Sequence, residues 1–353
     1  MDERIARLAD LHRLYWSRAL NTPLVRPRTV TITLTSRCNL KCVMCNHWRN
    51  PSRASEEISC DQVLRIIEEA ADWGVPEIEF SGGEPMIRRD FLEMLSLARA
   101  RGLRVNVTTN GTMIDGETAR ELTRTPGLRL QISIDGACAA THDEIRGVMG
   151  CYGRVMEGIA LLREFNAAVE NPIPLNATTV ILDRNIDELV DIIALVRGLG
   201  FSSITFQPMV DDNLDIYRRD PENPLRPSIT RLRALDRAVD GIIAAGREDG
   251  FVGNSLKNLE SVKDYFRNRL DTGRIQCYIG FIPCIVSPDG KLWSCMGNMG
   301  DVFELGLRAC WSSPRAREVR GRIKRCKVPC LYPCYLDTEA DNIVEATLKA
   351  LKG

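Results

Sequence analysis

Residues 29–45 read TVTITLTSRCNLKCVMC, and this stretch decides the fold of the N-terminal part of the chain. Its first half alternates threonine with apolar residues, a period of two that predicts a β-strand. Its second half places Cys38, Cys42 and Cys45 on the loop after that strand. Three thiolates on one short loop can hold three irons of a cubane iron–sulfur cluster and leave the fourth iron open to another ligand. The stretch therefore predicts a strand that leads into a metal-binding loop.

The composition is that of a globular protein and points to neither a nucleic-acid nor a membrane partner. Of 353 residues, 44% are hydrophobic and 27% charged, so the chain can bury a substantial core. The 47 basic and 47 acidic residues cancel, which gives no reason to expect binding to nucleic acid or to an anionic membrane. The first residues, MDERIAR, are too charged for a signal peptide and no long apolar run occurs, so we predict a cytoplasmic location. In that reducing compartment the 13 cysteines are expected to act as metal ligands or reactive thiols.

Strand and helix patterns alternate over the first two thirds of the chain. Strand patterns cover 29–36, 77–81, 104–109, 128–134, 175–181 and 203–207, and helical patterns lie at 60–73, 90–101, 116–125, 152–166 and 186–199. Such alternation implies a parallel sheet with right-handed crossovers. Six units are fewer than a closed barrel requires, so we predict an α/β fold with a partial (β/α)6 TIM-like barrel. The predicted domains are a helical lead-in at 1–28, the barrel at 29–210, a helical connection completing it at 211–275, and a small cysteine-rich auxiliary-cluster module at 276–353.

Polar and glycine-containing segments follow the predicted strands where a barrel of this kind would place its site. The candidate binding residues are Ser81, Gly82, Gly83, Glu84 and Pro85 after the second strand, Thr108, Thr109 and Asn110 after the third, Ser133 and Asp135 after the fourth, and Val180 in the fifth. Paired glycines allow a ligand to approach the backbone closely, which side chains would prevent. These segments predict one binding site at a single edge of the sheet.

The cysteine loop and the Gly-Gly-Glu-Pro segment at 82–85 resemble the signatures of the radical S-adenosylmethionine (SAM) superfamily. The resemblance covers roughly residues 29–210. It implies that Cys38, Cys42 and Cys45 bind a [4Fe–4S] cluster whose open iron chelates the amino and carboxylate groups of SAM. It also implies that residues 81–85 hold the methionyl ammonium group, that the ends of the third and fourth strands contact the ribose and carboxylate, and that adenine rests against the fifth.

Other interpretations of these motifs stay open at this point. Three cysteines and His47 could bind zinc, and Gly-Gly-Glu-Pro alone is often only a turn. The order of motifs along the strands favours the radical SAM interpretation, because zinc binding needs none of the polar strand ends. Arg146, in the segment THDEIRG at 141–147, is a candidate contact for the SAM carboxylate or the substrate. A structural arginine behind a helix-capping segment explains it equally well.

A second cluster of cysteines occupies the C-terminal part of the chain. The candidate ligands are Cys277, Cys284, Cys295, Cys326, Cys330 and Cys334, whereas Cys310 is read as a core residue. The spacing Cys277-x12-Gly290-x4-Cys295 resembles the opening of the SPASM or twitch module, an auxiliary-cluster domain. The later cysteines depart from the full SPASM pattern, so we predict one auxiliary [4Fe–4S] cluster held by four of the six. A structural zinc is the alternative.

The resemblance implies that SAM is cleaved reductively to a 5′-deoxyadenosyl radical, which takes hydrogen from a substrate carbon. An electron donor such as flavodoxin or ferredoxin is then required. Our leading prediction is an oxidoreductase of dehydrogenase type that oxidises a small polar or sugar-like metabolite in a biosynthetic pathway, as aminocyclitol dehydrogenases do.

Three alternatives to that reaction remain. The first is a redox-neutral epimerisation or rearrangement, with Cys138 or Cys151 as hydrogen donor. The second is peptide maturation, disfavoured because 28 residues before the first strand cannot hold a leader-binding domain. The third is a non-catalytic zinc or iron–sulfur protein.

Overall fold

The fold is built on one long sheet whose strands alternate with helices. The computed structural model describes residues 3–209, 229–271 and 276–326, with 330, 331, 343 and 347. The strands are β1 Thr29–Thr33, β2 Glu77–Ser81, β3 Arg104–Thr109, β4 Leu128–Ser133, β5 Leu175–Ile181, β6 Ser203–Pro208, β7 Pro283–Val286, β8 Lys291–Ser294 and β9 Gly297–Asp301. The helices are α1 Glu3–Ala19, α2 Cys60–Asp72, α3 Phe91–Ala100, α4 Gly116–Thr123, α5 Ala139–Arg146, α6 Cys151–Ala167, α7 Leu189–Gly198, α8 Leu232–Asp249, α9 Leu256–Phe266, α10 Val302–Leu305, α11 Leu307–Ser312 and α12 Pro314–Lys324.

The sheet has nine strands in the order β6-β5-β4-β3-β2-β1-β7-β8-β9. Strands β1 to β6 run parallel in sequence order, as the alternating pattern predicts. The parallel row also extends beyond them on both sides. On one side Cys284 of β7 pairs in parallel with Val30 of β1, and on the other Val252 bridges in parallel to Ile204 of β6. The partial barrel therefore has parallel neighbours at both edges, and the first strand of the C-terminal module belongs to the barrel sheet.

Each barrel strand has an apolar face toward the helices and a polar face toward the barrel interior. Val30, Ile32, Ile78 and Phe80 are fully buried in the main core. Their polar neighbours Thr31 and Glu79 line the interior cavity instead. Because successive side chains of a strand point to opposite faces, this division follows from the period of two. The strand residues that line the barrel interior are thus mostly polar.

Further helices lie outside the five helices predicted for the barrel units. The segment read as a helix cap before Arg146 is itself α5, which directly follows β4. Helices α8 and α9 occupy the part of the predicted 211–275 connection that the structure describes. Helix α1 packs through Leu11 and Leu14 against Tyr278 and Phe281 of the C-terminal module. No helix among the described residues is long and apolar enough to span a membrane.

Candidate functional site

A cavity of about 640 Å³ runs through the barrel interior to the carboxyl ends of the strands. From the cysteine loop it is lined by Cys38, Cys42, Cys45 and His47, and from the strand ends by Ser81, Gly82, Gly83, Thr108, Thr109, Asn110, Ser133 and Val180. Arg146 lines it from the end of α5. The structure thus brings most of the sequence-predicted site residues to one cavity, although they span four strands and more than 100 positions of the chain.

The cysteine loop is held in place by backbone hydrogen bonds to the end of α5. The Lys41 amide donates to the Arg146 carbonyl at 3.0 Å, and the Val43 amide donates to the Ile145 carbonyl at 2.9 Å. The indole of Trp48 donates to the Cys42 carbonyl at 3.0 Å. Trp48 therefore supports the loop from behind. These bonds make α5 the platform on which the three cysteines are presented.

The start of the cysteine loop depends on a residue that sequence reasoning missed. Glu57 accepts hydrogen bonds from Arg37 Nε at 3.1 Å and Nη2 at 2.8 Å. It also accepts one from the Ser52 hydroxyl at 2.6 Å. These bonds hold the pKa of Glu57 below its usual value despite partial burial. No local pattern marks Glu57, because its partner Arg37 lies 20 positions earlier in the chain.

The three thiols of the first site influence one another electrostatically. Burial is the main cause that raises the pKa of Cys38 to about 11, and the nearby thiols Cys42 and Cys45 add to it. Burial likewise raises the pKa of Cys45. Among the described residues no three Cys, His, Asp or Glu side chains stand close enough to hold a single metal ion. The three cysteines of the loop are nevertheless close enough to affect one another's pKa, and they line the same cavity. Binding of a metal would have to displace the protons of their thiols.

The paired glycines that follow β2 allow two segments of backbone to meet at the cavity. Gly82 and Gly83 lie against Thr35 and Arg37 of the cysteine loop, and the Gly83 amide donates to the Thr35 carbonyl at 2.8 Å. A Cβ on Gly83 would lie 2.2 Å from the Arg37 carbonyl oxygen. A Cβ on Gly82 would lie 2.4 Å from that of Thr35. Glycine is therefore required here for the approach of protein backbone, as well as for any ligand.

Glu84 lies beneath the cavity wall, where it joins the ends of β2 and β3. Its carboxylate accepts a hydrogen bond from the Thr109 hydroxyl at 2.8 Å and from the Asn110 amide at 2.8 Å. It is fully buried. Burial outweighs these hydrogen bonds and raises the pKa of Glu84 to about 7. Glu84 and Pro85 thus support the site from below and do not line the cavity.

The Glu84→Gln substitution is expected to change how stability depends on pH. Since the folded pKa lies above the ordinary value of 4.5, the folded state binds more protons between these values, and the free energy of unfolding falls as pH rises through them. From pH 5 to pH 8 the wild type should lose about 2–3 kcal/mol relative to the variant. Urea midpoints of both proteins at the two pH values measure this. Parallel pH curves for the two proteins would refute it.

Asp135 and Arg146 form a buried ion pair next to the cysteine loop. Arg146 Nη2 lies 2.7 Å from Asp135 Oδ2, and Arg146 Nη1 lies 3.7 Å from Cys42 Sγ. The other Asp135 oxygen accepts from the Val180 amide at 2.8 Å. Asp135 itself does not line the cavity. Asn185, which sequence reasoning missed, donates to the Asp135 and Val180 carbonyls at 2.9 and 2.8 Å.

The two cysteines considered as hydrogen donors do not lie on the described cavity wall. Cys138 is exposed at the position before α5. Cys151 is buried and donates to Asp143 Oδ1 at 3.1 Å, and burial raises its pKa to about 12. Cys151 is buried in the same apolar cluster as Cys42 and Val180, but neither thiol lines the described cavity. The structure therefore does not support either thiol as a donor to a substrate in this cavity.

The second cysteine group is partly assembled. Cys277 is half-buried and interacts electrostatically with Cys330 and Cys326, and burial raises its pKa to about 12. Cys295 lies at the turn between β8 and β9, directly after Ser294, and is partly buried against the core. Cys334 lies outside the described residues. These placements bring three of the six predicted ligands together.

Cys284, also a candidate ligand, is placed elsewhere. It is buried in the main core on β7, and its electrostatic neighbours are Arg320, Cys310 and Glu69. Because Pro283 lines the barrel cavity, the alternation of β7 directs Cys284 to the opposite face. The structure therefore corrects the prediction for Cys284 and places it with the core residue Cys310.

Comparison with known protein families assigns both regions. Residues 32–196 match the radical SAM superfamily, and residues 277–335 match an iron–sulfur cluster-binding domain, SPASM. The chain contains a radical SAM domain. A radical SAM domain binds a [4Fe–4S] cluster and SAM, and the SPASM domain adds auxiliary iron–sulfur binding. The zinc interpretation of the two cysteine groups is therefore not supported.

Curated relatives of this radical SAM protein differ in what they are named for. An AdoMet-dependent heme synthase of Methanosarcina barkeri is 36% identical over 174 residues, 49% of this chain and 48% of that protein. The chain thus spans about half the length of this relative. The mycofactocin maturase MftC of Mycolicibacterium smegmatis is 28% identical over 292 residues, 82% of this chain and 69% of that protein. The longer match extends well beyond the 32–196 region.

Solved structures support the fold. Streptococcus suis SuiB bound to S-adenosylmethionine superposes with a TM-score of 0.64 at 15% identity, over 86% of this chain and 73% of that chain. At this identity the likeness shows the architecture alone. It agrees with the partial barrel followed by a cysteine-rich region.

The residues of the first site fit a cluster with SAM. Three thiols on one cavity wall can serve as ligands of the cluster. The Asn110 side-chain amide lies 3.7 Å from Cys38 Sγ, where it can donate a hydrogen bond to a thiolate. Arg146 Nε is buried without a hydrogen-bond partner among the described residues. A buried donor left without an acceptor is costly, so this orphan indicates that an acceptor belongs in the cavity beside Cys42.

Proposed function

We propose that this chain is a radical SAM enzyme that modifies a peptide. The observation that carries the enzymatic part is the single cavity that joins the cysteine loop to the polar ends of β2, β3, β4 and β5. When bound there, the cluster and SAM supply a 5′-deoxyadenosyl radical that can remove hydrogen from an unactivated carbon. The protein contributes binding, orientation and exclusion of water.

The cavity residues have separate tasks in this proposal. Cys38, Cys42 and Cys45 hold the cluster, and the backbone of Ser81, Gly82 and Gly83 accepts hydrogen bonds from the SAM ammonium group. The ends of β3 and β4, at Thr108, Thr109, Asn110 and Ser133, contact the ribose and carboxylate, and Val180 packs against adenine. Glu84 and Asp135 act from below, where they fix the ends of β3 and β5 through buried hydrogen bonds.

The extent of the matches favours a peptide substrate. Substrate specificity is expected to depend on residues outside the SAM-binding core, including residues 207–275 and the C-terminal module. The radical SAM domain is long enough to explain the 174-residue match to the heme synthase. It is too short to explain the 292-residue match to MftC, which must include residues outside that domain. MftC, the maturase, is matched over that longer extent. Thioether or carbon–carbon crosslinking of a peptide is the reaction class we propose.

Oxidation of a small polar metabolite is the second candidate, and the polarity of the lower cavity favours it. Glu79 accepts hydrogen bonds from Thr31 at 2.8 Å, Thr108 at 3.2 Å and Asn106 at 3.4 Å. Burial raises the pKa of Glu79. Hydroxyl, amide and carboxyl groups thus face the space below the SAM-binding strand ends. They would bind a substrate portion rich in hydrogen-bond donors, whether an aminocyclitol or a polar peptide side chain.

An anaerobic assay tests the proposal. The protein is reconstituted with iron and sulfide and its iron is counted. It is then incubated with dithionite and SAM, alone, with a mixture of synthetic peptides, or with an amino-inositol. We expect 5′-deoxyadenosine in each reaction and a higher rate with peptides, together with a peptide product lighter by two hydrogens. Mass spectrometry and chromatography of the nucleoside give both readouts.

The outcomes separate the parts of the proposal. Stimulation by the amino-inositol and not by peptides would replace the peptide proposal with metabolite oxidation. An electron donor of the flavodoxin or ferredoxin type should replace dithionite if the reaction is physiological. Zinc in place of iron, with no 5′-deoxyadenosine, would overturn the enzymatic proposal.

A further inference from the structure

We propose that Arg146 is a fixed positive charge that raises the reduction potential of the first cluster, and that Asp135 positions it. The inference rests on the proposed assignment of Cys42 as a cluster ligand. It concerns a contact to a ligating sulfur, which differs from the SAM carboxylate or substrate contact expected from the sequence. The evidence is two buried contacts that link the segment after β4 to the cysteine loop, together with one buried donor that has no partner among the described residues.

The first contact joins Arg146 to the ligand. Its Nη1 lies 3.7 Å from Cys42 Sγ, within hydrogen-bonding range for sulfur. The Arg146 side chain is 9% exposed and that of Asp135 is fully buried, so water screens this charge weakly. A hydrogen bond or positive charge at a cluster sulfur stabilises the reduced cluster, which carries one more negative charge. Arg146 therefore makes reduction easier.

The second contact fixes where the charge sits. Asp135 Oδ2 lies 2.7 Å from Arg146 Nη2, and Asp135 Oδ1 is held by the Val180 amide at 2.8 Å. The Asp135 amide in turn donates to His142 Nδ1 at 3.3 Å. The guanidinium thus lies between the Asp135 carboxylate, with which it forms an ion pair, and the Cys42 sulfur, and both contacts limit where its charge can sit.

The third observation is that one donor of the guanidinium has no acceptor among the described residues. Arg146 Nε is buried without a hydrogen-bond partner, although a structural ion pair deep in a core usually satisfies every donor. The interior wall next to it carries Cys42 and Cys45, both of which interact with its charge. Arg146 lines the cavity, so an acceptor bound there could satisfy this donor.

Asp135 also limits the effect of Arg146. Its carboxylate partly neutralises the guanidinium. The electrostatic potential at Cys42 is therefore the sum of the positive charge of Arg146, which touches the sulfur, and the negative charge of Asp135 behind it. Asp135→Asn keeps an oxygen for the Val180 amide and removes only the negative charge, so it should shift the reduction potential in the direction opposite to the loss of Arg146. A residue with only a structural role would not produce opposite signs.

The test is an EPR-monitored redox titration of the reconstituted holoenzyme. The first cluster is recognised as the signal that changes when SAM is added. We expect Arg146→Gln to shift its midpoint potential to more negative values and Asp135→Asn to shift it to more positive values, with Arg146→Lys between wild type and Arg146→Gln. The matched control is Arg184→Gln, which removes an arginine from an exposed pair with Glu144 on α5 and should leave the potential unchanged.

Shifts of the same sign, or no shift beyond that of the control, would overturn the inference. If Arg146→Gln fails to bind iron at the first site, the Arg146→Lys shift decides, and a potential at or above that of the wild type would overturn the inference. A wild type that forms no cluster at the cysteine loop would instead refute the proposed function, so the two failures are distinguishable.

Discussion

Replacing Cys42 by alanine is expected to remove the first cluster and to abolish SAM cleavage. Cys42 is the buried member of the three loop cysteines, and its carbonyl and sulfur are contacted by Trp48 and Arg146. Two remaining thiolates cannot hold a cubane that needs three from this loop, so iron should fall by about four atoms per chain. Formation of 5′-deoxyadenosine should fall to background. Iron analysis and the anaerobic SAM cleavage assay measure both effects.

Cys138→Ala is the matched control for that substitution. Cys138 is exposed and does not line the described cavity wall. Its replacement should leave iron content and SAM cleavage unchanged. Retention of all iron by Cys42→Ala would exclude the loop as the cluster site, and loss of activity in Cys138→Ala would revive this thiol as a hydrogen donor.

The second large effect is expected for Gly83→Ala. The added Cβ would lie 2.2 Å from the Arg37 carbonyl oxygen and 2.7 Å from the Arg37 carbonyl carbon. Both atoms belong to backbone that is anchored through Glu57 and leads directly into Cys38, so neither side can yield cheaply. We expect the free energy of unfolding to fall by about 1–3 kcal/mol, and activity to fall about 10- to 100-fold, as when support of a metal ligand is lost.

Gly153→Ala provides the comparison. Gly153 lies within α6, and a Cβ there would meet no atom within 4 Å. The same substitution should therefore stabilise the protein by about 0.5–1 kcal/mol through helix propensity. Urea midpoints and SAM cleavage rates of the two variants give the contrast. Equal stability of both variants would contradict the close approach of the two backbone segments.

Much of the sheet could be predicted from the sequence, because its strands are short, alternating and bounded by turn residues. The strands at 77–81, 104–109 and 175–181 have the predicted bounds. The pairing of β7 with β1 could not be predicted, since it joins residues more than 250 positions apart through a strand of four residues. Long-range pairing of so short a segment has no local signal.

Part of the candidate site could likewise be predicted from the sequence, and part could not. The cysteine loop and residues 81–85 are contiguous and carry their chemistry in local spacing, so the sequence alone indicated a cluster site that binds SAM. Glu57, Asn185 and the contact of Arg146 with Cys42 depend on segments 20 to 104 positions apart. The placement of Cys284 away from the other cysteines likewise depends on which face of β7 meets the core.

The sequence by itself determined the alternation of polar and apolar residues in the barrel strands, the cysteine loop and its family. Only the tertiary structure decided which face of each strand lies inside. In an isolated sheet the polar face would meet solvent, but here helices cover the apolar face and the sheet curves around the polar one. The reason is physical: a period of two specifies two faces, whereas closure of the sheet, a long-range property, decides that the polar face encloses the cavity.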